Sequence, residues 1–262
     1  MSFKDIRLIK PENLEQLLKK YKFPTYRSKQ IQNWARKISV QSFDQMSNLP
    51  SDLIHFLIEN FKLNKSKVKT SKKSSDGTIK FAIQLYDNLI VEAVLIPSNK
   101  RITACVSSQV GCSLDCNFCA TSKIKKMRNL ESYEIFDQIM LLNKESINHF
   151  SSNITNIVFM GMGEPLLNYK NVIESIDQIA SDFGIGISYK KITLSTSGIS
   201  KMIKKMADDN VKFNLAISLH TAVEKTRNKV MPFSKSFPIK ELVDSLESVS
   251  YTHLTLPTTP YV

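Results

Sequence analysis

Four cysteines fall between residues 101 and 129 of a 262-residue chain, and none lies elsewhere: Cys105, Cys112, Cys116 and Cys119. The last three are spaced C-x3-C-x2-C. The segment is read as a loop wrapped around something. Thiolates select zinc, copper or iron–sulfur clusters. A structural zinc site takes four protein ligands. Here the single C-x2-C pair, Cys116 and Cys119, would need Cys105 or a distant histidine to complete it. A cubane cluster held by Cys112, Cys116 and Cys119 alone leaves one iron without a protein ligand. An open iron is a weakness in an electron carrier and an asset in an enzyme, where a cofactor or substrate can bind it. The cysteines by themselves leave the zinc knuckle and the cluster both open.

The chain that must position these thiols suits one large domain, or one with a small companion. It is 42% hydrophobic, enough for a real core. Its 36 Lys+Arg against 24 Asp+Glu give a net charge of +12, which favours a polyanionic partner, most simply nucleic acid. The first residues, MSFKDIRLIKPENL, contain no apolar core of the kind a signal peptide needs, and no apolar run reaches the ~18 residues of a membrane span. Clustered rather than dispersed cysteines argue against a disulfide framework. Together these features predict a reducing cytoplasm and no membrane partner.

Residues 1–75 read as a small helical domain closed by a basic linker. Helical spacing is seen in Leu14, Leu17 and Leu18, then in Ile31, Trp34, Ala35 and Ile38, and finally in Leu53, Phe56, Leu57 and Phe61, with Pro24 breaking the first helix from the second. Arg27, Lys29, Arg36 and Lys37 form either an RNA face or the ordinary solvated side of these helices. Residues 62–75 hold six lysines and no acid, and are read as flexible. Residues 76–98 read as a β-hairpin turning at Asp87-Asn88, with Val91, Ala93 and Leu95 on one side and Glu92 with Val94 on the other. From residue 99 to 249 strand and helix alternate. Strands are expected at Ile102–Val106, Ile154–Met160, Lys191–Leu194 and Phe213–Leu219. Helices are expected at Tyr133–Phe150, Asn171–Phe183, Ile199–Asp208 and Pro238–Val249. Such alternation builds a parallel sheet with ligands at its C-terminal strand ends. Those ends are the cysteine loop, MGMGEP, STSG and SLH, and they hold Gly111, Gly161, Gly163 and Gly198 of only seven glycines. The last residues, 250–262, are rich in Thr and Pro and read as an appendage.

C-x3-C-x2-C is the signature of the radical S-adenosylmethionine (SAM) superfamily. CVSSQVGCSLDCNFCAT, FMGMGEPLLN, LSTSG and AISLH, in that order, with TYRSKQIQNW and SSDGT before them, resemble the bacterial dual-specificity RNA methyltransferases of the RlmN type over nearly residues 1–249. The sister Cfr type, which methylates carbon 8, is less similar, with Ala in place of Pro165 and Cys in place of Val110. The resemblance implies an α/β fold, a partial (β/α) barrel of the radical SAM type with about four parallel strands here, behind the helical domain and the hairpin. It implies methylation of carbon 2 of an adenosine in 23S rRNA and of an adenosine next to the anticodon in tRNA. Carbon 2 is electron-poor and has no acidic proton, so ordinary SN2 methylation does not work there. In the family one SAM methylates a protein cysteine, and a second, cleaved reductively at the cluster, yields the radical that activates that methyl group. A disulfide forms as product leaves.

Carried over by motif, Cys112, Cys116 and Cys119 hold a [4Fe–4S] cluster. Gly163, Glu164, Ser195, Ser218, Leu219 and His220 contact SAM, Glu92 accepts a proton, and Cys105 resolves the covalent intermediate. A monomer served by an electron donor such as flavodoxin is implied as well. The family's methyl-carrying cysteine belongs to a C-terminal portion beyond the point, near Ser250, where the resemblance stops, so the sequence is read as a truncated member. A different class, a non-catalytic iron–sulfur RNA-binding protein, would leave the strand-end motifs idle.

Overall fold

The structure, a computed structural model, describes residues 4–38, 40, 42–181 and 184–250, with side chains at all of these except 37, 38 and 250. The expected appendage from residue 251 onward and the last two residues of the helix expected to end at Phe183 lie outside the described residues.

Helices α1 (Pro11–Lys20), α2 (Arg27–Gln32) with its π-helical continuation (Asn33–Ile38), and α3 (Ser51–Asn60) close around their own apolar core. Leu14, Leu18, Ile31, Ala35, Leu53 and Leu57 form that core, at the helical spacing read from the sequence. Pro11 opens α1 in the first turn, where a missing amide costs nothing. Two of the cations considered for an RNA face are spent internally. Arg27 donates to the Gln30 side chain and the Asn48 carbonyl, and Arg36 to the Arg7 carbonyl. Lys29 is exposed, and the Lys37 side chain lies outside the described residues.

The rest of the chain is built on a sheet. In order come β1 (Lys67–Lys73), β2 (Ile79–Gln84), β3 (Ile90–Ser98), β4 (Arg101–Cys105) and the short β5 (Gln109–Val110) and β6 (Arg128–Asn129). These are followed by α4 (Ser132–Phe150), β7 (Asn156–Phe159), α5 (Tyr169–Ala180), β8 (Ile192–Thr196), α6 (Ser200–Asp208), β9 (Asn214–Ile217), α7 (Glu224–Val230) and α8 (Ile239–Ser250). The large sheet runs β1-β2-β3-β4-β7-β8-β9. Strands β4, β7, β8 and β9 are parallel, with α4, α5 and α6 returning between them, and they form the expected partial barrel.

Two expectations are corrected. The sheet is mixed rather than purely parallel, because β3 pairs antiparallel with β4 and so fuses the hairpin onto the barrel strands. The lysine run is not a flexible linker: β1 occupies it and pairs along its length with β2. Its charges are tolerated because the strand lies at the sheet edge, where nearly every side chain reaches water. Lysines on an edge also discourage pairing with other chains.

Alternation then divides the sheet into two faces. Ala93, Leu95, Ala104, Ile157, Phe159, Ile192, Leu194 and Leu215 are buried in one cluster with Ile135, Ile139, Ile176 and Ile203 of the helices. The intervening residues form the other face. The registers Val94–Cys105, Cys105–Val158, Val158–Thr193 and Ser195–Ala216 place Glu92, Cys105, Ser195 and Ser218 on it together. The helical N-terminal part is tied to α4 through a buried cluster. Arg7 pairs with Asp5 at 2.9 Å and Asp137 at 2.8 Å, Ser66 donates to Asp137, and Asn64 donates to the Tyr133 hydroxyl.

Candidate active site

The cysteine loop hangs from the small β5–β6 ladder and is fixed by its own polar groups. The Ser122 hydroxyl stands 2.7 Å from the carbonyls of both Cys116 and Cys119, and the Cys119 amide donates to the Cys116 carbonyl. Its far side is tied to the segment around α7. The Asn117 side chain donates to the Lys229 carbonyl at 2.6 Å, the Asn117 amide to Val230, and the Phe233 amide to Asp115. Asn117 and Asp115 drew no notice in the sequence, because their partners lie more than a hundred residues away.

A cavity of about 300 Å³ opens at the C-terminal ends of the parallel strands. Cys112, Cys116 and Cys119 line one side of it, and Gly163, Glu164, Ser195, Ser218 and His220 line the other. Leu219 is the exception: it does not line the cavity, and its side chain is exposed while its carbonyl turns inward. Glu92 and Cys105 share the open face of the sheet but stand outside the cavity wall. The Glu92 carboxylate pairs with Lys80 at 2.6 Å at the surface. The main chain of Glu92, by contrast, belongs to the site's support: its amide donates to the Met162 sulfur and its carbonyl accepts from Ser107.

Gly163 shows why a strand end needs glycine. Its φ is +95°, and an added Cβ would lie 2.5 Å from the Gln109 side chain. Gln109 uses that approach, its Oε1 accepting the Glu164 amide at 2.9 Å. Glu164 itself is buried, its two oxygens accepting the amides of Leu166 and Ser197 at 3.1 and 2.8 Å. Burial raises its pKa, and these hydrogen bonds oppose that rise. Gln109, Ser107 and Asn168, which support this wall, looked like ordinary polar residues in the sequence.

All four thiols are free. Burial pushes the Cys116 thiol up to about 12, with the nearby Cys112 and Cys119 adding to it, and pushes Cys105 up to about 11. Burial raises Cys112 too. Cys112 and Cys116, whose thiols resist ionisation, need a strongly cationic partner before they become ligands. Among the described residues no three His, Cys, Asp or Glu side chains converge as a single metal ion requires. Three thiols on one cavity wall are a donor set that an iron–sulfur cluster can use.

A model of the radical SAM superfamily matches residues 106–255, the stretch that carries Cys112, Cys116, Cys119 and the strand ends. The crystal structure of a radical SAM methyltransferase from Sphaerobacter thermophilus superposes with a TM-score of 0.85 at 31% identity, covering 97% of this chain and 75% of that one. A protein of Flavobacterium psychrophilum named probable dual-specificity RNA methyltransferase RlmN is 55% identical over 244 residues, 93% of this chain and 70% of that protein. One of the same name from Streptococcus agalactiae is 40% identical over 85% of this chain and 61% of its own length. The chain belongs to the RlmN family of the radical SAM superfamily. The cofactors of that superfamily are a [4Fe–4S] cluster and SAM. Among the described residues no helix is long and apolar enough to cross a membrane.

Proposed function

We propose that this chain carries the radical-generating part of an RNA methyltransferase acting on carbon 2 of an adenosine, in 23S rRNA and next to the anticodon of tRNA, by way of a methyl group carried on a protein cysteine. The observation that supports this most is one cavity walled on one side by three thiols and on the other by the polar ends of parallel strands. Cys112, Cys116 and Cys119 would hold the [4Fe–4S] cluster, leaving one iron for the amino and carboxylate groups of SAM. When bound, cluster and SAM supply a 5′-deoxyadenosyl radical on receipt of one electron from a donor such as flavodoxin.

The chain's own residues hold and orient. Glu164, fixed by the Ser197 and Leu166 amides, and Gly163, which keeps the wall thin, would meet the SAM amino end. Ser195, Ser218 and His220 would contact the remainder, and Leu219 would take part through its backbone. Cys105, buried and held protonated, would serve in resolving the covalent intermediate. Glu92 would accept the proton from the base once its pair with Lys80 opens. The net charge of +12 favours RNA, and a monomer in the cytoplasm completes the reading.

The test is a version extended with a family C-terminus, given SAM, a reductant and ribosomal RNA, with the product nucleoside identified by mass spectrometry. The proposal expects 2-methyladenosine. A methyl group on carbon 8, or labelled RNA without methyladenosine, contradicts it.

A further inference from the structure

Two arginines are buried in this protein, Arg7 and Arg227, and three more, Arg27, Arg36 and Arg128, are partly buried; carboxylates neutralise Arg7 and Arg128. Arg7 is held between Asp5 and Asp137, and Arg128 between Asp87 and Glu134. Arg227 on α7 differs. It is fully buried, yet among the described residues no carboxylate stands within ion-pair distance of it. Glu224, the nearest acid by its electrostatic effect, accepts the Ile239 amide instead. Guanidinium does not lose its proton in proteins, so a full positive charge is buried here without a matching negative one.

What surrounds that charge is the wall of the cavity. Arg227 donates to the carbonyls of Ser197 and Leu219 at 2.7 Å and of Ser218 at 3.4 Å, joining the ends of β8 and β9. Its Nε has no partner. A Cβ added at Gly198 would stand 3.2 Å from Nη2, so the β8 loop closes directly on the guanidinium. The backbone of His220 is held at φ +61°, an uncommon conformation for a residue other than glycine, beside the carbonyl that Arg227 grips. The helix that carries Arg227 also reaches the cysteine loop, because the Lys229 and Val230 carbonyls accept from Asn117, which lies between Cys116 and Cys119.

We infer that Arg227 is the internal counter-charge of the cluster site, a positioning residue that fixes the His220 and Ser197 loops and stabilises the extra electron of the reduced cluster. The inference rests on the proposed ligation by Cys112, Cys116 and Cys119. Three thiolates give a [4Fe–4S] cluster a net negative charge, and one-electron reduction adds another. In a site of low dielectric a fixed cation nearby favours that reduction. The electron comes from the same external low-potential donor, and no bond changes at Arg227.

The experiment compares wild type, R227M and R227K after anaerobic reconstitution, by iron and sulfide content, redox titration followed by EPR, and SAM binding. R227M is expected to load iron fully, to show a midpoint potential displaced to more negative values, and to bind SAM about tenfold more weakly, as the loss of hydrogen bonds from a charged donor implies. R227K, which keeps the charge without the fork, is expected to hold the wild-type potential and to lose SAM affinity; it serves where R227M does not fold. Full iron in R227M with an unchanged potential overturns the inference, as does R227K with a displaced one. Wild-type protein that takes up no iron overturns the cysteine ligation itself.

Discussion

The two faces of the central sheet are made from the same strands, one residue apart, and serve opposite ends. Leu194 is wholly buried against the helices, while Ser195, the next residue, lines the cavity. Ala104 and Cys105 also point to opposite faces, as do Ala93 and Glu92, although neither Cys105 nor Glu92 lines the cavity. The buried face is apolar and stabilises the fold through packing; the open face and its strand ends carry polar groups that packing does not need. Register joins the two roles, because a one-residue slip would carry every functional side chain into the core.

The largest effect should come from the loop that the open face serves. Cys116→Ala should abolish cluster assembly, read as iron and sulfide per chain, with little loss of thermal stability in the apo-protein. Cys105→Ala should leave iron content intact, since Cys105 lies outside the cavity wall.

Neighbouring substitutions on opposite faces give the next contrast. Leu194→Ala removes a fully buried side chain and should cost about 2–5 kcal/mol in denaturant unfolding. Ser195→Ala should change stability by no more than about 0.5 kcal/mol, while weakening SAM binding in the reconstituted protein.

A smaller effect concerns the junction of the N-terminal helices with α4. Asp137 and Asp5 share Arg7, and burial holds the Asp137 carboxyl at about 6, above the ordinary carboxylate value of 3.8. In that window the folded chain keeps a proton that the unfolded chain has released, so this contribution to stability is full below it and fades as pH rises through about 6. Thermal melts between pH 4.5 and 7.5 should show that dependence in the wild type and lose it in Asp137→Asn. An identical pH profile in the two proteins would contradict the assignment.

The smallest effect is expected at the surface. Lys80 and Glu92 are about half exposed, so Lys80→Ala should cost less than about 1 kcal/mol and should be insensitive to the state of the cluster.

How much of this was legible in the sequence depended on how local the cause is. The C-x3-C-x2-C spacing, the alternation in β3 and the Asp87-Asn88 turn are local, and the structure carries the hairpin and strands where they point. β1 was illegible because an edge strand with both faces in water has no apolar period to show. Arg227 was illegible for a different reason. On a short helix rich in charge it resembles a solvated residue, and only the folding of two distant strand ends around it turns it inward. Leu219 shows the limit of motif transfer: its side chain is exposed and away from the cavity wall, and its carbonyl accepts from Arg227.

The most direct test of the central claim, that three thiols and the strand ends form one site for a cluster with an open iron, is the EPR spectrum of the reconstituted and reduced protein with and without SAM. The account predicts iron and sulfide in the ratio of a [4Fe–4S] cluster and a signal that changes shape when SAM is added. A fully loaded cluster whose spectrum is indifferent to SAM would contradict it.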